Sequence, residues 1–128
     1  MSTPIAAASL MAFRSALKVA GLRAIYRRGA DSVSVCVAPG AQSQTDQSVG
    51  GSSSFNAATA DWEVEAAKLL IDSAEITPAP GDTLDVTTAA GETEFYQLAL
   101  GPNRRVWDWG DNYHQIRTLH TVPKPPAS

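Results

Sequence analysis

Hydrophobic residues near the start of the chain recur with the period of an α-helix. Leu10, Phe13 and Leu17 fall at i, i+3 and i+7, which places them on one helical face. The predicted helix, residues 4–20, begins with a proline and is followed by a glycine, as helices commonly do. Its apolar stripe is narrow and is surrounded by alanine. The stripe fits either packing against the core or close contact with a neighbouring subunit.

Period-two alternation follows the helix and predicts strands. Residues 22–37 predict a β-hairpin, because Val33, Val35 and Val37 alternate with small polar residues after a turn that begins at Gly29.

The alternation returns over residues 61–123. We expect strands around Trp62 and at Leu84 and Val86. Further strands are expected at Tyr96–Leu100, Val106–Trp109 and Tyr113–Val122, separated by segments rich in Gly, Pro and Asn. Prolines then end regular structure.

Six or seven short antiparallel strands at this spacing predict a mainly β fold, either a small barrel or a sandwich, with one N-terminal helix. The length of 128 residues and a hydrophobic content of 44% fit one domain over residues 1–128. We expect residues 124–128 to be a short tail.

Residues 38–60 interrupt the pattern. Gly, Ser, Gln, Thr and Ala dominate them, with Val49 and Phe55 as the large apolar residues and Asp46 as the single charge. A loop of this length and composition inside a compact domain is usually either functional or disordered, and both interpretations stay open. We expect a long, flexible, Gly/Ser-rich loop.

Charge is distributed unevenly along the chain, whose net charge is −3. The first thirty residues contain five basic residues and no acidic residue, whereas the rest contains five basic and thirteen acidic residues. This asymmetry fits a solvated face, or docking onto an acidic partner or a like subunit. The candidate interface residues are Arg14, Lys18, Arg23, Arg27 and Arg28.

Few residues suggest catalysis or metal binding. The single cysteine, Cys36, excludes an intrachain disulfide, and six strand residues would separate His114 from His120 by ~20 Å, too far to share an ion. Glu63 and Glu65 could pair, but we expect both on a solvated face with ordinary pKa values. We expect no enzyme activity, no cofactor and no metal.

Membrane and nucleic-acid partners are also not indicated. No stretch approaches the ~18 apolar residues of a membrane span, and the N-terminus does not resemble a secretory signal. The basic cluster lacks the interleaved aromatic residues of a base-stacking surface. We therefore expect a protein of the cytosol, or of a particle assembled there.

Aromatic residues near the C-terminus are the most distinctive feature. Trp107 and Trp109 share a predicted strand face, and Tyr113 follows after a turn. Large aromatic side chains serve either as core or as interface anchors, because they bury much area with few rotamers. We include all three among the candidate interface residues.

Three motifs mark the segment from Ile76 to Pro123. They are Pro78-Ala79-Pro80-Gly81-Asp82-Thr83-Leu84 before a strand, Trp107-Asp108-Trp109-Gly110-Asp111 with Tyr113, and Arg117-Thr118-Leu119-His120-Thr121 in the last strand. This segment resembles the closing half of the head-closure proteins of tailed bacteriophages, also called stopper or head–tail joining proteins.

The resemblance implies a virion protein of the phage neck, assembled in the host cytoplasm. Such a protein forms a β-barrel that oligomerises as a ring beneath the portal or its adaptor and receives the tail tube or tail terminator. A long loop of such a ring can project into the channel and retain the packaged DNA without reading its sequence. Asp46, Val49 and Phe55 are then the candidate gating residues.

Other functions fit the same features. A tail terminator or another minor tail protein would also depend on interfaces alone. A carbohydrate-binding module would use Trp107 and Trp109 as a solvent-facing platform. A hydrolase would need His114 or His120 close to Asp108 or Asp111.

The loop interpretation generates a prediction. Replacing Gln42–Ser54 with a few glycines should hardly change the free energy of unfolding, because loop length enters the closure entropy only logarithmically. The same change should reduce DNA retention in particles, measured as filled heads by electron microscopy. Trimmed particles that keep their DNA and infect normally would show that the loop is only a spacer.

Overall fold

The computed structural model describes residues 4–40, 60–101 and 104–124. Within these ranges the chain forms one α-helix, one 3-10 turn and nine strands. The elements are α1 (Pro4–Ala20), β1 (Leu22–Arg28), β2 (Asp31–Pro39), β3 (Ala60–Glu65), the 3-10 turn (Ala66–Lys68), β4 (Leu70–Ile71), β5 (Ala74–Glu75), β6 (Thr83–Thr87), β7 (Thr93–Leu98), β8 (Trp107–Trp109) and β9 (Ile116–Pro123).

Six antiparallel strands close into a barrel. Their order is β3-β2-β1-β6-β7-β9, and β9 pairs back onto β3 over six register positions, from Ala60 opposite Thr121 to Glu65 opposite Ile116. The short strand β8 adds to β9 beyond the end of β7. The predicted mainly β fold with one N-terminal helix is confirmed, and of the two predicted architectures it is the barrel.

Apolar side chains at alternate strand positions fill the interior of the barrel. Residues that face inward are apolar and almost fully buried, because successive side chains of a strand point to opposite faces of the sheet. The buried core consists of Ala24, Tyr26, Val35, Val37, Trp62, Val64, Leu69, Leu84, Val86, Leu98, Val106 and Leu119. The predicted valine face of β2 therefore lies against the interior.

The hairpin of β1 and β2 follows the prediction, but its second strand is longer. Gly29 has φ 60°, which favours glycine at the first position of a two-residue hairpin turn. The predicted loop boundary at residue 38 is wrong by two residues, because Ala38 and Pro39 pair with β3. Residues 41–59, with Asp46, Val49 and Phe55, lie outside the described residues.

Helix α1 spans the predicted range and packs on the outside of the barrel. Phe13 is buried against Ala38 of β2 and Ile116 of β9, and Leu17 packs beside them. The predicted stripe therefore makes an intramolecular contact. The opposite side of the helix is exposed.

The C-terminal strands begin or end at other residues than predicted. Strand β7 ends at Leu98, so Leu100 does not share its buried face and is exposed. The last strand begins at Ile116 rather than Tyr113, because the Asp111 carboxylate accepts hydrogen bonds from the N–H groups of Gln115 and Ile116 and holds a turn. His114 sits in this turn with φ 57°.

A buried polar cluster links β1 to the segment before β6. The Asp82 carboxylate accepts hydrogen bonds from the Tyr26 hydroxyl, the Arg28 guanidinium and the N–H of Ala79. Burial and the bond to Asp82 raise the pKa of Tyr26 well above its ordinary value. The proline and Gly-Asp turn thus contributes its aspartate as a buried acceptor.

Two neighbouring arginines allow this cluster to be tested. Arg28 pairs with the buried Asp82, whereas Arg27 pairs with Asp85 on the surface. We expect Arg28→Gln to lower the free energy of unfolding by about 2–3 kcal/mol, because a buried carboxylate loses its charged donor. The matched change Arg27→Gln should cost less than about 1 kcal/mol. Urea unfolding measures both, and equal losses would contradict a special role for the cluster.

Candidate assembly surfaces

The outer side of α1 exposes large apolar side chains beside Ser15 and Lys18. Ile5, Met11 and Val19 are 67%, 66% and 89% exposed, although they are large hydrophobic residues. They share this side with small residues that would let another surface approach closely. We call it the helix face; it consists of Ile5, Ala8, Met11, Ala12, Ala16 and Val19.

Three of the five basic candidates are engaged within the protein. Arg14 donates two hydrogen bonds to Glu65, at 3.0 and 2.7 Å, and Arg27 and Arg28 form the pairs already described. Lys18 and Arg23 form no ion pair with another described residue and remain available for a partner. The basic segment therefore presents much less uncompensated charge than its composition indicates.

Glu65 and Glu63 differ from the expected solvated pair. Glu65 is buried, and its hydrogen bonds to Arg14 lower its pKa despite the opposing effect of burial. Burial, together with the charges of Asp111 and Asp61, raises the pKa of Glu63. The expectation of two exposed carboxylates with ordinary pKa values is wrong, because α1 covers one of them and acidic neighbours surround the other.

The tryptophans form a cluster around a buried arginine. The Arg117 guanidinium lies 4.2 Å from the ring centroid of Trp107 and 4.7 Å from that of Trp109. Its Nη2 donates to Glu75 at 3.1 Å, while Nε and Nη1 are buried without a hydrogen-bond partner among the described residues. Contacts with the two ring faces therefore compensate much of the burial of this charge.

This geometry does not match a sugar platform. The rings of Trp107 and Trp109 meet edge to face at 89°, and both are half-buried. His114 stacks on Trp109 with a centroid distance of 4.5 Å. Because Arg117 and His114 cover ring faces, the cluster offers a partner its edges and the exposed Tyr113 rather than two open faces.

His120 lies between two carboxylates on the outer face of the barrel. Its Nδ1 is 3.0 Å from an Asp61 oxygen, and its Nε2 is 2.7 Å from an Asp108 oxygen. The contact between His120 and Asp108 that a hydrolase would require is therefore present. With both ring nitrogens bonded to aspartates, however, neither is left to accept a proton from a nucleophile. Among the described residues, no group of three or more His, Cys, Asp or Glu side chains is placed to hold a metal ion.

Comparison with protein families decides the wider identity. The family model of the phage head-tail joining protein matches residues 5–126, from the first turn of α1 to beyond the end of β9. The chain belongs to the phage head-tail joining protein family. No curated protein and no solved structure gives a significant match to it.

Membership places this head-tail joining protein among structural proteins of the phage particle that contact other head and tail proteins. The family match also extends over α1, which the C-terminal motifs did not include. None of the helices described here has the length and hydrophobicity of a membrane span.

Several side-chain contacts of this head-tail joining protein could not be predicted from sequence motifs. The bonds from His120 to Asp61 and Asp108 join residues on three different strands, and the Arg117 cluster depends on the register of β8 against β9. The helix face does have a sequence signal. On the helical period, Met11 and Val19 lie on the side away from Phe13 although both are large and apolar.

The His120 site predicts a pH-dependent stability. Burial tends to lower the pKa of His120, but its hydrogen bonds to Asp108 and Asp61 outweigh burial and raise it. A raised folded-state pKa stabilises the fold below about pH 6.5, the ordinary histidine pKa, and this stability is lost as pH rises through the folded-state pKa. The urea midpoint of the head-tail joining protein should therefore fall as the pH rises from about 6.5 through the folded-state pKa of His120.

The second histidine provides the control. His120→Gln should remove this fall in the urea midpoint, whereas His114→Gln should retain it, since His114 stacks on Trp109 and has no carboxylate partner in the described part of the chain. If His114→Gln removed the fall instead, the assignment to His120 would be wrong.

Proposed function

We propose that this protein closes the filled phage head as a ring between the portal or its adaptor and the tail. The observation that carries the proposal is the family match over residues 5–126. In this role the protein is a virion component of the neck, assembled in the host cytoplasm. It acts through contacts with copies of itself, the portal or adaptor, and the tail tube or tail terminator, and it has no enzyme activity and needs no cofactor.

The exposed helix face supports such a contact role. Three large exposed hydrophobic side chains on one side are unusual for a helix that already packs its other side on a core. A helix of 17 residues is ~25 Å long and offers too little area for a stable complex on its own. A weak contact of this size suits a ring, in which many copies engage one platform together.

The remaining candidate residues supply other kinds of contact. Lys18 and Arg23 supply positive charge near the C-terminal end of α1, and Tyr113 with the edges of Trp107 and Trp109 supplies aromatic contacts at β8. In the ring, the segment containing Asp46, Val49 and Phe55 faces the channel and the packaged DNA.

The helix face can be tested in phage particles. We expect Met11→Glu combined with Val19→Glu to leave the urea midpoint of the monomer nearly unchanged, within about 0.5 kcal/mol, because both sites are exposed. The same variant should be missing from purified heads and should lower the infectious titre, since two charges would enter an apolar contact.

Leu100→Glu is the matched control, since Leu100 is 64% exposed but lies outside the helix. It should enter heads normally. Normal incorporation of the helix variant would remove the helix face from the proposal. Filled, closed heads that lack only completed tails would favour a tail terminator over a closure protein.

A further inference from the structure

Strand β2 is paired unequally on its two sides. On one side β1 pairs with it from Asp31 to Val37. On the other side β3 pairs only with Val37–Pro39. Over residues 31–36, about 20 Å of strand, no described strand pairs with β2 on the β3 side, although β4 lies close to β2.

The register shows which backbone groups face this open side. Arg28 and Asp31 form the hydrogen-bonded pair that closes the hairpin. Alternation from this pair directs the backbone N–H and C=O groups of Val33, Val35 and Val37 towards β1. The backbone groups of the even-numbered residues point away from β1, towards the β3 side. The N–H of Gly40, for example, donates to the carbonyl of Asp61 in β3 at 2.7 Å. The N–H and C=O groups of Ser32, Ser34 and Cys36 therefore form the open edge.

The open edge exists because β3 leaves β2 early. After Glu65 the chain enters the 3-10 turn, where the N–H of Ala66 donates to the carbonyl of Gln115, and Leu69 inserts into the core. The space left beside β2 is a groove of about 450 Å³ that contacts Ser34, Val35 and Cys36. Proteins usually block such an edge with a lysine, a proline or a bulge, and positions 32–36 contain none of these residues or breaks in register.

The side chains around the groove define the ligand that fits. Leu17 of α1 gives one apolar wall, and Arg23 and Lys68 carry positive charge at the rim. Neither Arg23 nor Lys68 forms an ion pair with a described residue, while the Glu65 carboxylate in the groove is held by Arg14. The groove is therefore suited to a backbone with acidic side chains.

We propose that the open edge of β2 at Ser32–Cys36 binds an extended, acidic segment of a partner protein by strand addition. Main-chain hydrogen bonds to Ser32, Ser34 and Cys36 give affinity, and Arg23 and Lys68 select acidic side chains. A second copy is a poorer occupant, because the acidic strand of this chain, β3, is already paired on both sides with β2 and β9.

Synthetic peptides test this site on the isolated protein. The probes are peptides of about nine residues, long enough for one strand, that alternate valine with either glutamate or lysine. We expect the glutamate peptide to bind about tenfold or more tightly than the lysine peptide by fluorescence anisotropy. It should also slow amide hydrogen exchange at Ser34 and Cys36.

Two substitutions at one position separate backbone from side-chain effects. Ser34→Pro removes an N–H that points away from β1, so the hairpin ladder stays intact and peptide affinity should fall about tenfold or more. Ser34→Ala keeps the N–H and should bind like the unmodified protein. If Ser34→Pro does not fold, a glutamate peptide N-methylated on alternate residues makes the same test. Arg23→Glu with Lys68→Glu should reverse the preference to the lysine peptide.

Several results would overturn the proposal. They are no binding of the glutamate peptide at about 1 mM, equal binding of both peptides, or unchanged binding by the Ser34→Pro variant. A dimer that forms in the absence of peptide and is lost in Ser34→Pro would assign the edge to a second copy instead. Because the assay needs only the isolated protein, failure here leaves the proposed neck function untouched.

Discussion

Pairing of β9 with β3 is the interaction on which the other features depend. It closes the barrel over six register positions and thereby removes the two edges that an open sheet would expose. The same strand contributes Leu119 to the core, Ile116 to the seat of α1, Arg117 to the tryptophan cluster and His120 to the paired aspartates. One strand thus places apolar, aromatic and charged contacts on both faces of the barrel wall.

Counting charges along the sequence does not show which charges pair with each other in the fold. The basic N-terminal segment and the acidic remainder suggest two opposed surfaces, but Arg14, Arg27 and Arg28 bond to acids 51, 58 and 54 residues away in the chain. These pairs fasten the helix to β3 and β1 to the β6 region. Much of the positive charge of the N-terminal segment is therefore used in ion pairs within the protein. The unpaired positive charge of this segment lies on Lys18 and Arg23 among the described residues.

The sequence predicts the local elements well, since each depends on residues close together. The limits of α1 and the hairpin turn at Gly29 follow from helical and period-two patterns, and the barrel follows from strand number and spacing. The burial of Glu65 and the covering of Trp107 by Arg117 could not be predicted, because they depend on which strands become neighbours. The short strands β4 and β5 were missed because two-residue strands have no measurable period.

The contacts of Gly101 limit how the connection between β7 and β8 can vary. A Cβ atom there would lie 2.6 Å from two carbons of the His120 ring, so only glycine fits. The backbone of His120 also fixes both ends of this connection: its carbonyl accepts the N–H of Ala99, and its N–H donates to the carbonyl of Val106. Two backbone hydrogen bonds to one residue of β9 therefore set the spacing between the end of β7 and the start of β8. A side chain at position 101 would displace the His120 ring from Asp61 and Asp108, so a change in this connection would disturb both β3 and β8.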